Sequence, residues 1–247
     1  MKTKYSRYIY LIALFLIVGA STTTAQQNNQ AGASTQSQVS QIEADDLVYM
    51  REEEKLARDS YEVLGEEWGL AIFSNISQSE QRHMDALELV LDRFGIADPI
   101  IDESDVGNFA DPTLQDLFND LMTSGMKSEM DALKVGAAIE ETDILDIQHA
   151  IERTENQDII ATYENLLCGS RNHLRAFVGQ IEFYGDIYTP VLMSDDDFDA
   201  IVDFPMERRC GANNGGKGKG NRKGKGKGKG KGKGNCNGTG SFNDDGS

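Results

Sequence analysis

Along four stretches of the chain, apolar residues recur at alternating spacings of three and four. That period gathers side chains on one face of an α-helix. The first stripe runs Leu47, Met50, Glu54, Ala57, Tyr61, Leu64, Trp68, and the second Ile76, Glu80, His83, Leu87, Val90, Phe94. The third runs Leu133, Ala137, Glu140, Ile144, Ile147, Ile151, and the fourth Tyr163, Leu166, Ser170, His173, Phe177, Ile181, Tyr184. They predict four long helices, over about 44–67, 73–94, 128–154 and 156–184. Gly69, Gly95 and Gly185 are natural stops. Asp45 and Asp46 suit the first turn of the first helix. Ser128, three residues before Asp131, suits the start of the third.

The connections arrange these helices. The first and second are joined by a short link, as are the third and fourth around 154–157, so each pair forms an antiparallel hairpin. The segment 96–127 between the hairpins is long and carries a short helix of its own near 112–123, with Pro112 at a favoured early position. Two helical hairpins joined by one long crossover is the connectivity of ferritin-like four-helix bundles. The expected fold is therefore all-α, a ferritin-like four-helix bundle crossing over between its second and third helices. Residues 194–203 read as a small capping helix. The folded domain spans 42–206, long enough for a single core.

The ends are of different character. Lys2, Lys4 and Arg7 precede the apolar stretch 8–20, so residues 1–25 read as a signal peptide, with a cleavage site before Gln26 and an alternative after Ala20. This predicts export to an extracellular or periplasmic space, with no membrane span after cleavage. Residues 26–41 are polar and read as a disordered linker. Residues 207–247 form a cationic tail built on Lys-Gly repeats, where alternating glycine prevents regular structure. Such a tail suits an anionic surface polymer, attraction to the protein's own acidic body, or no specific role. Cys210 and Cys236 bracket the repeats; paired, they would close them into a loop and leave Cys168 over.

The chain carries a formal charge of −17. The first 25 residues contribute +3 and the last 41 contribute +8, which leaves −28 for residues 26–206. Such a body repels polyanions, so it should bind no nucleic acid, and it attracts cations.

All four stripes are broken by polar residues, three of them by a carboxylate, a histidine or both where the core should be apolar, and the fourth by Ser170 and His173. A charged group there is costly unless it is paired or holds a metal. Carboxylate-bridged dinuclear sites in helical bundles take one Glu from each of two helices and a Glu-x-x-His from each of the others. Here Glu54, Glu80 with His83, Glu140, and His173 fill that pattern. Ser170 stands where the fourth Glu belongs, and Asp143, one turn beyond Glu140, could take its place. Glu141 is a weaker candidate, Glu164 faces away, and His149 falls on the surface. Glu53 is the runner-up ligand on the first helix, but Glu52 and Glu53 belong to the charged run Arg51–Lys55 and read as a solvated face, with only Glu54 on the stripe. The competing structural reading is a buried salt-bridge network with Arg58, Arg82 or Arg175.

Several segments also resemble a known family: YMREEEKLARD at 49–59, FSNI at 73–76, SEQRHMDA at 79–86, DALKVGAAIEE at 131–141, YENLL at 163–167 and SRNHLRAF at 170–177. They resemble the ferritin-like domain-of-unknown-function family 2202 over about 43–203, and are more distantly similar to rubrerythrins and ferritins. The resemblance implies a di-iron site, but the Cys-x-x-Cys motifs of rubrerythrins are lacking. Three functions are open at this level. One is an exported protein holding two iron (or manganese) ions, with oxidase or peroxidase activity. The others are a metal-sequestering protein and a surface-attachment module working through its tail.

Overall fold

Ser40 sets the start of the first helix, α1, which runs Gln41–Trp68. Its hydroxyl accepts from the Glu43 amide while the Glu43 carboxylate accepts from the Ser40 amide, a reciprocal pair that satisfies two otherwise orphaned donors. This capping box places the start three residues before the expected one. Gly69, with φ of 64°, then ends the helix, and only Gly69 and Leu70 separate it from α2, Ala71–Phe94. The turn is so tight that the two helices run antiparallel.

The computed structural model describes residues 39–208 and Cys210. The expected signal segment, nearly all of the linker, and the Lys-Gly repeats with Cys236 lie outside the described residues. Every regular element among those described is helical, and none of these helices is long and apolar enough to cross a membrane. The crossover carries α3, Pro112–Gly125, with Asp111 as its N-cap and Pro112 in its first turn. The second hairpin comprises α4, Glu129–Glu152, and α5, Gln157–Phe183, capped by Ser128 and Asn156. A last short helix, α6, runs Asp195–Val202 and packs on α5.

Helices α1, α2, α5 and α4 form a ring in that order, with α3 laid over α1 and α4. The apolar stripes meet at its centre: Leu47, Leu64, Phe73, Leu87, Ile144 and Phe177 are all fully buried. The fourth stripe ends at Ile181, since Tyr184 is largely exposed. The apolar interior divides into two clusters. One runs from Leu56 and Phe73 to Phe177, the other from Leu47 and Leu87 to Tyr163. Along α1, α2 and α5, the polar interruptions fall between residues of the two clusters.

Two expectations are corrected. Arg51 through Tyr61 are all buried, so the charged run is not a solvated face. The crossover wraps it: Arg51 donates to Asp98 and Glu103, Lys55 to Asp59 and two crossover carbonyls, and Glu52 accepts from the Ala110 and Asp111 amides. The run's hydrophilicity is spent on an irregular segment whose backbone groups need partners. Second, Cys210 is bonded to Cys168, with Cα atoms 5.4 Å apart, and not to Cys236. Glu207 and Cys210 lie along α5, where Glu207 accepts from Arg171 and Arg175 and Cys210 meets Cys168.

Candidate metal centre

Glu54 comes from α1, Glu80 and His83 from α2, Glu140 from α4 and His173 from α5. The structure brings these five together as two groups that share Glu80. In the first, Glu54, Glu80 and His83 each offer one ligand atom, all within 4.8 Å of one another; Glu80, Glu140 and His173 make the second. Glu80 divides its carboxylate between them, with Oε2 2.7 Å from His83 Nδ1 and Oε1 2.7 Å from His173 Nδ1. Glu54 Oε2 is 3.1 Å from His83 Nδ1, and Glu140 Oε2 is 3.5 Å from His173 Nδ1. The i, i+3 spacing of Glu80 and His83 turns both toward the same point of the bundle axis.

Apart from the Glu54 Oε2–His83 Nδ1 hydrogen bond, these atoms are close without being aligned to bond one another. Both Glu80 oxygens, Glu54 Oε1, Glu140 Oε2 and His173 Nδ1 are buried and lack an aligned hydrogen-bond partner. Glu54, Glu80 and Glu140 are fully buried. Ligand atoms that crowd together yet miss hydrogen-bond alignment converge on common points in space. A polar network built for its own sake would bond its members, because buried unpaired carboxylate oxygens are costly. The donor set fits a metal site, with either group able to hold an ion.

The arginines do not supply the alternative network. Arg58 donates to Asp59, Gln81 and the Glu103 carbonyl, and Arg175 to the Ile201 carbonyl, Asn172 and Glu207. Arg82 is exposed.

The charges of the centre are strongly interdependent. Burial pushes the Glu54 carboxyl up to about 7, with His83 opposing and Glu80 reinforcing. Burial would also raise Glu80, but His173 and His83 outweigh it and hold that carboxyl below the usual range. For His173, burial favours the neutral ring, and Glu80 and Glu140 overcome this to raise it to about 10. His83 is raised against the same penalty by Glu54 and Glu80. The carboxylates thus favour positive charge on each of the two histidines.

Ser170 is fully buried and its hydroxyl donates to the Leu166 carbonyl of its own helix, so it does not stand in for the missing carboxylate. Asp143 is buried with both oxygens unpartnered. It feels the charges of Glu54 and Glu140 but belongs to neither three-ligand group. Glu141 is committed elsewhere, accepting from the Tyr188 hydroxyl and the amides of Val191, Leu192 and Met193. Glu164 and His149 are exposed.

Sequence reasoning missed two supporting residues. Tyr61, on the first stripe, donates to Glu140 Oε1 at 2.6 Å; an aromatic on the same face as Glu54, two turns on, was the available signal. Gly169 lies within α5, where a Cβ would stand 2.5 Å from His83 Nε2. A glycine inside a helix costs about 1 kcal/mol relative to alanine, which marks a close approach. Glu53, the runner-up ligand of the first helix and set aside there as part of a charged run, is buried with both oxygens unpartnered.

A family model described as an uncharacterized protein domain, DUF2202, matches residues 43–205. The uncharacterized protein MJ0754 of Methanocaldococcus jannaschii is 48% identical over 170 residues, which cover 69% of this chain and 91% of that protein. The crystal structure of hypothetical protein MJ0754 from Methanococcus jannaschii is similar with a TM-score of 0.67 at 44% identity, covering 75% of this chain and 100% of that one.

Proposed function

The chain belongs to the uncharacterized domain family DUF2202, and we propose that it is an exported, carboxylate-bridged dinuclear metal protein that acts as an oxidase or peroxidase. The observation that carries this reading is the division of Glu80 between two His–Glu groups. Glu54 and His83 would hold one ion and Glu140 and His173 the other, with Glu80 common to both groups. With oxygen and imidazole donors, and with Cys168 and Cys210 joined in a disulfide, the set suits iron, with manganese as the alternative. A bound iron pair supplies redox chemistry toward oxygen or peroxide.

The protein's own residues orient and shield that chemistry. Tyr61 fixes Glu140 and, through its hydroxyl, places a proton at the centre's edge. The two apolar clusters exclude water above and below. His83 and His173, 9% and 8% exposed, are the least buried of the five ligands, so only a small oxidant gains access. Export is supported by the disulfide, which is stable in oxidising compartments.

The test is a stopped-flow and oxygen-electrode assay of protein loaded with Fe(II) and exposed to oxygen or hydrogen peroxide. Ferrous oxidation by the wild type, lost in a Glu80→Ala, His83→Ala double variant, supports the reading. Retention of iron without turnover would replace catalysis by sequestration, and failure to retain metal would sink both.

A further inference from the structure

One feature of the bundle lies outside the ligand set. Glu53 and Asp143 face each other across α1 and α4, at 2% and 1% exposure. All four of their carboxylate oxygens are unpartnered. Both line a cavity of about 20 Å³ whose other walls include Leu117, Leu121, Ile139 and Thr142, room for one water-sized occupant. Asp146, one helical turn beyond Asp143 and 20% exposed, is within hydrogen-bonding reach of Glu53 if either carboxyl carries a proton. The nearest lysine, Lys55, is turned away to Asp59 and the crossover. On its inner side, Asp143 feels Glu54 and Glu140 of the metal centre.

We propose that Glu53, Asp143 and Asp146 form a cation-transit site, through which divalent metal ions pass from solvent to the Glu80-bridged centre. The inference rests on the proposed metal centre and adds its route of loading. Two buried, unpaired carboxylates at a cavity are costly alone and attractive to a partly hydrated divalent cation. They do not make a resident site, since no third ligand completes a tight group with them among the described residues. A site with two carboxylates and water binds weakly enough to release its ion inward. The net charge of −28 over residues 26–206 gathers cations at the surface, and Asp146 receives them. In the ring of helices, the α1–α4 face lies opposite the α2–α5 face that carries His83 and His173. Cation and oxidant therefore enter from opposite sides.

The test uses the full chain stripped of metal and mixed rapidly with Mn(II) or Co(II), with loading rate and final stoichiometry read together. Glu53→Gln and Asp143→Asn should still bind two ions but load about tenfold more slowly, the scale on which focused negative potential accelerates cation arrival. Asp146→Asn should slow loading less, and Asp199→Asn, on an exposed helix away from the cavity, not at all. Melting temperatures of Glu53→Gln and Asp143→Asn should hold or rise, since each removes an unpaired buried carboxylate. Unchanged rates in both variants would overturn the transit site. Loss of one of the two ions in Asp143→Asn would also overturn it, making Asp143 a resident ligand. A wild type that binds no ions would sink the metal centre itself, and the route with it.

Discussion

At the scale of single residues, the centre depends on close fits that sequence spacing announces only in part. Gly169→Ala should improve helix propensity in α5 by about 1 kcal/mol, yet the new Cβ would strike the His83 ring. The expected outcome is one bound metal per chain in place of two, with no gain in melting temperature, as read by metal analysis and a thermal melt. Tyr61→Phe removes the hydroxyl that donates to Glu140. Supporting hydrogen bonds to metal ligands are worth roughly 10- to 100-fold in affinity, so one of the two ions should bind at least about tenfold more weakly by competition with a chelator. Glu54, Glu80, His83, Glu140 and His173 were legible because each breaks an apolar stripe in phase. Gly169 was not, because a helical pattern does not reveal which residue of another helix will lie against a given position.

At the scale of elements, helices and their order were legible, since 3.6-residue periodicity and glycine stops are local signals. The crossover was not. A run such as Arg51–Lys55 reads as a solvated face unless a later segment of unpredictable shape returns to cover it, as residues 98–111 do here. The disulfide was hidden for a similar reason, because nothing local says that Cys210 returns to α5. Closing a loop of 42 residues' separation stabilises by about 4 kcal/mol in the chain-entropy account. Cys168→Ser should therefore lower the denaturation midpoint markedly, and adding reductant to the wild type should reproduce the change while leaving the variant unaffected. An equal response of both proteins to reductant would count against the bond.

At the scale of the whole molecule, metal, protons and stability are linked. His83 and His173 are raised by the carboxylates around them, His173 from 6.5 to about 10, so protons compete with metal for the same Nδ1 atoms. Apparent metal affinity should rise with pH across the neutral range, with proton release on binding measurable in weakly buffered solution. The stability of stripped protein has the opposite slope. A raised histidine contributes fully below its unfolded value and loses that contribution as pH rises toward about 10. Metal at about 100 times its dissociation constant adds about 2.7 kcal/mol per site, so chelation should lower the melting temperature, most at alkaline pH.

The most direct measurement is the metal-to-protein ratio of the wild type beside Glu80→Ala, Glu54→Ala and His173→Ala. A shared glutamate makes the ratios unequal: two for the wild type, one for Glu54→Ala and for His173→Ala, and none for Glu80→Ala. Stoichiometric loss of a single ion in Glu80→Ala would contradict the bridge, and a wild type without metal after reconstitution would contradict the centre.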